Sequence, residues 1–158
     1  ATSPASYFSP ELFFAHRPAG TREQMLRFLT DEIAAREDVP DDFLDQIRAR
    51  ERSASTAFGN GVAMPHPLVP VGKRTFITVA LADGPIAWGS TSVRAVFLIT
   101  VSTDETEDLH ALYDALLALT SDAGAIEELL ADQRFETLRR LLPGEMANGQ
   151  DALQRPEG

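Results

Sequence analysis

Apolar positions recur at helical spacing through Thr21–Glu37, where Met25, Leu26, Leu29, Ile33 and Ala34 fall on one face. Thr21 followed by Gln24 makes a capping-box pattern at its start, and Pro40 stops anything continuing from it. A second helix is expected from Asp41 or Asp42, whose carboxylates suit a helix N-terminus, to Arg52, with Phe43, Leu44 and Ile47 as its apolar stripe. The pattern then breaks. Ser53–Asn60 is small and polar, and Gly59-Asn60-Gly61 marks a tight turn before the short apolar piece Val62-Ala63-Met64, which leads into Pro65-His66-Pro67.

Thr75–Leu81 and Val93–Val101 are β-branched and apolar enough for strands, with Asp83-Gly84-Pro85 and Gly89-Ser90 as turn signals between them. Neither alternates cleanly with polar residues, which suggests strands covered by helices on both sheet faces. Glu105–Leu119 carries Leu109, Leu112, Tyr113, Leu116 and Leu119, and its acidic start is what the helix macrodipole favours. Ala125–Ala131 and Arg134–Leu142 read as two short closing helices. The pattern therefore predicts an α/β fold, a small sheet flanked by helices. Ala1–Pro10, rich in Ser and Pro, reads as a linker, residues 11–142 as the folded domain, and residues 143–158 as a polar tail that adds nothing to the core.

Composition narrows the function more than the fold. The 158 residues, 44% hydrophobic and 24% charged, match one folded domain with a single core. The 14 Lys and Arg against 24 Asp and Glu leave a formal charge of −10, which excludes a nucleic-acid binder driven by phosphate neutralisation. With no cysteine, disulfides, thiolate metal sites and a cysteine nucleophile are excluded on this chain. The most apolar stretches, such as Ala95–Ile99, are strand-sized and far from the roughly 20 residues that span a bilayer. The opening has no basic start or apolar run, so it is no signal peptide. It also lacks an initiator Met, which leaves a piece of a longer protein or a processed product open.

Three histidines make a short census. His66 stands out, because its flanking prolines fix two φ angles and bias His66 itself toward extended backbone, mounting the imidazole on a stiff segment. A loop histidine packed for structure is the alternative. Arg50 shares a helix face with Phe43 and Ile47, at the end of an apolar stripe, where a guanidinium needs an anionic partner such as a carboxylate or phosphate. A snorkelling arginine paired locally, for instance with Glu51, is the plainer reading. His110 borders the Leu109, Leu112 and Leu116 stripe with Tyr113 three residues on, and is expected to be half-buried. The histidines are isolated from each other and from paired carboxylates, so no metal site is expected. There is no GxGxxG, no GxxxxGK[ST] and no GxSxG pattern, which removes the dinucleotide fingerprint, the P-loop and the hydrolase elbow.

Taken in order, Arg50-Glu51, Ser55-Thr56 and Gly59-Asn60-Gly61-Val62-Ala63-Met64-Pro65-His66 resemble the active-site signature of the type-2 IIA domains, the fructose/mannitol family, of the bacterial phosphoenolpyruvate-dependent sugar phosphotransferase system. The resemblance extends through Pro85-Ile86-Ala87-Trp88 to His110 and covers roughly Phe8–Leu142. It implies that His66 accepts a phosphoryl group from the phosphohistidine of the carrier HPr and hands it to a cysteine of a IIB domain. Arg50 and His110 would surround the phosphate, with Glu51, Thr56 and Asn60 supporting the site. It further implies a mixed, mainly parallel sheet, a cytoplasmic location, and no metal, nucleotide or other cofactor. Direct nucleic-acid contact and membrane insertion are not expected. Pro67 departs from the family, in which a small residue is commoner after the histidine. The same domain type also serves as a regulatory module at the C-terminus of transcription activators and antiterminators, and Phe8-Ser9-Pro10-Glu11-Leu12-Phe13 resembles that version. A pure interaction domain with an inert site is disfavoured, since Arg50, His66 and His110 are all present.

Overall fold

The computed structural model describes residues 2–142, so the predicted polar tail lies outside the described residues. Five strands, β1 (Phe13–Arg17), β2 (Ala57–Gly59), β3 (Val62–Ala63), β4 (Phe76–Trp88) and β5 (Thr91–Thr100), form one sheet in the order β1-β4-β5-β3-β2. Five helices flank it: α1 (Arg22–Ala34), α2 (Phe43–Ser53), α3 (His110–Thr120), α4 (Ala123–Asp132) and α5 (Phe135–Leu141). The α/β class is as expected. The sheet is mixed. β1 with β4, β3 with β5 and the isolated Gly72–Ser102 bridge are parallel, whereas the longest ladder, β4 with β5, and the β2–β3 pair are antiparallel.

Both central strands are apolar on two faces because each face has its own helical cover. Ile77, Val79 and Leu81 of β4, with Ala95, Phe97 and Ile99 of β5, meet Leu112, Leu116 and Leu119 of α3 and Ile126 and Leu129 of α4. The intervening Phe76, Ala80 and Ala82, with Val96 and Leu98, meet Leu26, Leu29 and Ile33 of α1 and Phe43 and Ile47 of α2. The period-2 alternation thus sorts residues between two cores rather than between core and solvent.

The predicted capping box on α1 is present: Gln24 N–H donates to Thr21 Oγ1, and Thr21 N–H donates to Gln24 Oε1, both at 3.0 Å. Three expectations need correction. Asp83-Gly84-Pro85 is not a turn between strands but a bulge inside β4, where the step from Leu81 to Ile86 matches only that from Ala95 to Val93 on β5. Arg94 holds it by donating Nε–H to Ala82 C=O at 3.0 Å, while Ile86 returns to the core.

α3 begins at His110 rather than Glu105, because Asp104 accepts from Thr106 and Asp108 from the His110 N–H, side-chain turns that compete with helix. Its first turn therefore holds no acidic residue. The third correction concerns Ala1–Pro10, which is no linker through its length. Two 3-10 turns, Pro4–Tyr7 and Pro10–Leu12, carry the chain into β1, and Tyr7 and Phe8 are buried in the α3–α4 core because both are too apolar to stay in water.

Candidate functional site

His66 follows β3 and is held by backbone bonds on both sides. Met64 N–H donates to Thr56 C=O at 3.0 Å, and Ile99 N–H donates to Pro65 C=O at 2.9 Å, so the segment is pinned between the start of β2 and the end of β5. The imidazole Nδ1 lies 2.9 Å from Met64 C=O. A carbonyl only accepts, so in the neutral ring the proton sits on Nδ1 and Nε2 keeps its lone pair. Half-buried His66 lines a cavity of about 380 Å³ together with Pro67, Leu68, Val69, Ile99 and Tyr113. Pro67 is buried and forms part of that wall. Clefts of about 410 Å³ beside Arg17 and about 540 Å³ beside Phe135 share no lining residue with it and contain no histidine, so volume alone does not locate the chemistry.

Glu51 is 6% exposed and fully engaged. Its carboxylate accepts from Thr56 N–H at 2.7 Å, Thr56 Oγ1–H at 2.6 Å and Trp88 Nε1–H at 3.0 Å, with Arg22 Nη1 at 3.9 Å. Such a buried charge is tolerated because hydrogen-bond donors surround it. Glu51 and Thr56 therefore act one layer behind the histidine: the carboxylate fixes Thr56, Thr56 fixes Met64, and Met64 orients the His66 ring.

Arg50, half-buried on the next position of α2, does not pair with Glu51 as its neighbour suggested. Its Nη1–H donates to Ala54 C=O at 2.6 Å, and among the described residues no carboxylate pairs with it. His110 is exposed rather than half-buried, at 83%, because it opens α3 outside the Leu112–Leu116–Leu119 stripe, and its Nε2 lies 3.2 Å from Asp114 Oδ2. Neither Arg50 nor His110 lines the cavity. Asn60, at φ 54° in the left-handed region, donates its side-chain N–H to Thr120 C=O at 2.8 Å and so ties the glycine turn to the end of α3.

The structure thus brings His66, Thr56 and Glu51 into one hydrogen-bonded unit. It adds Tyr113 to the cavity, which the sequence pattern treated as part of a helical stripe. The signal was its position three residues after His110, which places both on one side of α3. Among the described residues no group of three or more His, Cys, Asp or Glu could hold a metal ion.

A histidine with an unbonded Nε2, braced from behind by Thr56 and the Glu51 carboxylate, matches the order of residues in the sequence signature, and comparison with known proteins decides the family. Residues 6–143 match the family described as "Phosphoenolpyruvate-dependent sugar phosphotransferase system, EIIA 2". The chain belongs to this family. Its relatives include the "Probable licABCH operon regulator" of Bacillus subtilis, 33% identical over 132 residues that make up 84% of this chain and 21% of the relative. Another is the "Multiphosphoryl transfer protein" of Salmonella typhimurium, 31% identical over 137 residues, or 84% of this chain and 35% of the relative. The chain therefore spans only a fifth to a third of these relatives. Among solved structures, the enzyme IIA of a mannitol IIA–IIB complex from Escherichia coli shares the fold at TM-score 0.69 and 22% identity, covering 87% of this chain and 99% of that one. The nitrogen regulatory protein IIA-Ntr of Neisseria meningitidis does so at TM-score 0.76 and 20% identity, with 87% and 97% covered. As a member of this family the chain carries an EIIA type-2 domain. No helix among the described residues is long and apolar enough to cross a membrane.

Proposed function

We propose that His66 is a phosphoryl carrier that takes its group from the phosphohistidine of HPr and passes it to a cysteine of a IIB domain. The observation that carries this reading is the Nδ1 contact to Met64 C=O, which leaves Nε2 as the nucleophile of a histidine that lines the cavity. In the first step the donor's P–N bond breaks and a P–N bond to His66 Nε2 forms. The ring becomes cationic as it is phosphorylated, so its Nδ1–H grows more acidic and its bond to the Met64 carbonyl strengthens. In the second step the P–N bond breaks in favour of a P–S bond to the acceptor thiolate, and His66 returns to neutral.

Arg50 is assigned to the phosphoryl oxygens. Among the described residues its guanidinium bonds only to a carbonyl at its own helix end, so the rest of the fork is available to an anion. His110, exposed and next to Asp114, is assigned to the same phosphate from the start of α3, and Asn60, Thr56 and Glu51 to the scaffold that supports it. These partners would place the reaction in the cytoplasm.

A second reading has its own support. Similarity to an operon regulator over 84% of the chain favours a IIA-like regulatory domain of a longer protein, in which phosphorylation of His66 sets the activity of the neighbouring domains. Incubation with phosphoenolpyruvate, enzyme I and HPr should label the wild type and leave His66→Ala unlabelled. Discharge of the label by a IIB domain would favour the transport role, and labelling that no IIB domain discharges would favour the regulatory one. Label retained in His66→Ala would refute His66 as the acceptor.

A further inference from the structure

The walls of the His66 cavity are almost entirely hydrocarbon. Pro67, Leu68, Val69, Pro70, Ile99 and Val101 offer no side-chain donor, and besides His66 the one polar side chain lining the cavity among the described residues is Tyr113. A phosphoryl group placed there brings at least one negative charge against apolar side chains that cannot pair its oxygens, in a cavity open to solvent at Leu68, Val69 and Tyr113. Arg50 and His110, the other groups assigned to the phosphoryl, are not among its walls.

Tyr113 is positioned by α3, whose Leu112 and Leu116 are buried in the core and turn the intervening Tyr113 outward, toward the segment that follows His66. Its side chain remains 41% exposed, so the hydroxyl is reachable from solvent and from an approaching partner. Among the described residues that hydroxyl has no hydrogen-bond partner. A tyrosine in a hydrocarbon wall with its hydroxyl unspent is a ready donor. Burial first, and the Glu107 charge second, push the phenol above its ordinary range, so it keeps its proton throughout neutral pH.

We propose that Tyr113 contacts the phosphoryl group, its hydroxyl donating a hydrogen bond to a phosphoryl oxygen while phosphorus is bonded to His66 Nε2. The phenol keeps its proton. Only the P–N bonds of donor and carrier change, and Tyr113 lowers the energy of the phosphorylated site by pairing an oxygen that the hydrocarbon walls cannot. This rests on the reading of His66 as phosphoryl carrier.

The test uses the whole chain, with HPr as donor, and compares wild type, Tyr113→Phe and Tyr113→Leu. Loss of one hydrogen bond to a charged phosphoryl oxygen should slow phosphorylation of Tyr113→Phe about ten- to a hundredfold, shorten the lifetime of the phosphorylated protein by a similar factor, and shift its phosphorus NMR resonance. Tyr113→Leu should match Tyr113→Phe, because the hydroxyl and not the ring is the contact. Wild-type rates, lifetime and resonance in Tyr113→Phe, or a defect confined to Tyr113→Leu, would assign Tyr113 to packing and overturn the inference while His66 labelling stands. A wild type that takes no label on His66 would overturn the carrier reading and this inference together.

Discussion

Glu51 does more for the site from behind it than a group at the surface could. Its carboxylate answers three donors, on Thr56 and Trp88, and is nearly out of contact with water. Glu51→Ala would leave the Trp88 N–H and the Thr56 N–H without an acceptor and Arg22 without its nearest anion. Removing one partner from such a buried charged set costs about 3–5 kcal/mol. Urea unfolding should therefore show Glu51→Ala destabilised by about that much, with Glu51→Gln in between because an amide oxygen can still accept. A loss below about 1 kcal/mol would mean that water replaces the carboxylate. The same logic explains why Arg50, adjacent in sequence, stays available: the two side chains leave α2 in different directions, and only Glu51 faces Trp88.

At the scale of elements, short polar side chains decide where helices start and stop. Asp104 and Asp108 delay α3 to His110, left-handed Gln133 ends α4, and Asp132, the last residue of α4, ties that end to the start of α5. The Asp132 carboxylate accepts from Thr137 Oγ1–H at 2.6 Å and Arg134 N–H at 3.3 Å. The Thr137 hydroxyl first, and the Arg134 groups after it, hold the Asp132 carboxyl below its ordinary range. A carboxyl with a depressed folded value contributes stability above its unfolded value and loses it as pH falls through the folded one. Asp132→Asn should consequently be less stable than wild type at neutral pH, and the two should converge in strong acid. Denaturation midpoints at several pH values check this, and a pH-independent difference would assign the effect to hydrogen bonding alone.

At the scale of the molecule, the sheet separates two apolar layers, and the N-terminal segment helps close one of them. Phe8 is 6% exposed and packs in the layer that carries α3 and α4. Phe8→Ala should cost about 3–5 kcal/mol in urea unfolding, the range for truncating a buried aromatic, and a change within about 0.5 kcal/mol would make the segment dispensable. The stretch looked like a linker because Ser and Pro dominate it. Two aromatic residues among them carry no periodicity, and only the tertiary structure supplies the surface they cover.

Much of the architecture is set by short-range pattern. The capping box of α1, the apolar faces of α1 and α2, the two doubly apolar strands, and the run from Arg50 to His66 are each contiguous, so their physics is local and the sequence alone determines them. What it leaves open depends on contacts distant along the chain. Whether Asp83-Gly84-Pro85 turns or bulges depends on β5 remaining paired on both sides of it. Whether Glu51 serves Arg50 or Trp88 depends on a residue 37 positions away. Which side chain shares the cavity with His66 depends on how α3 lies across the sheet, and that is settled by burial of Leu112, Leu116 and Leu119 in a core no single segment forms.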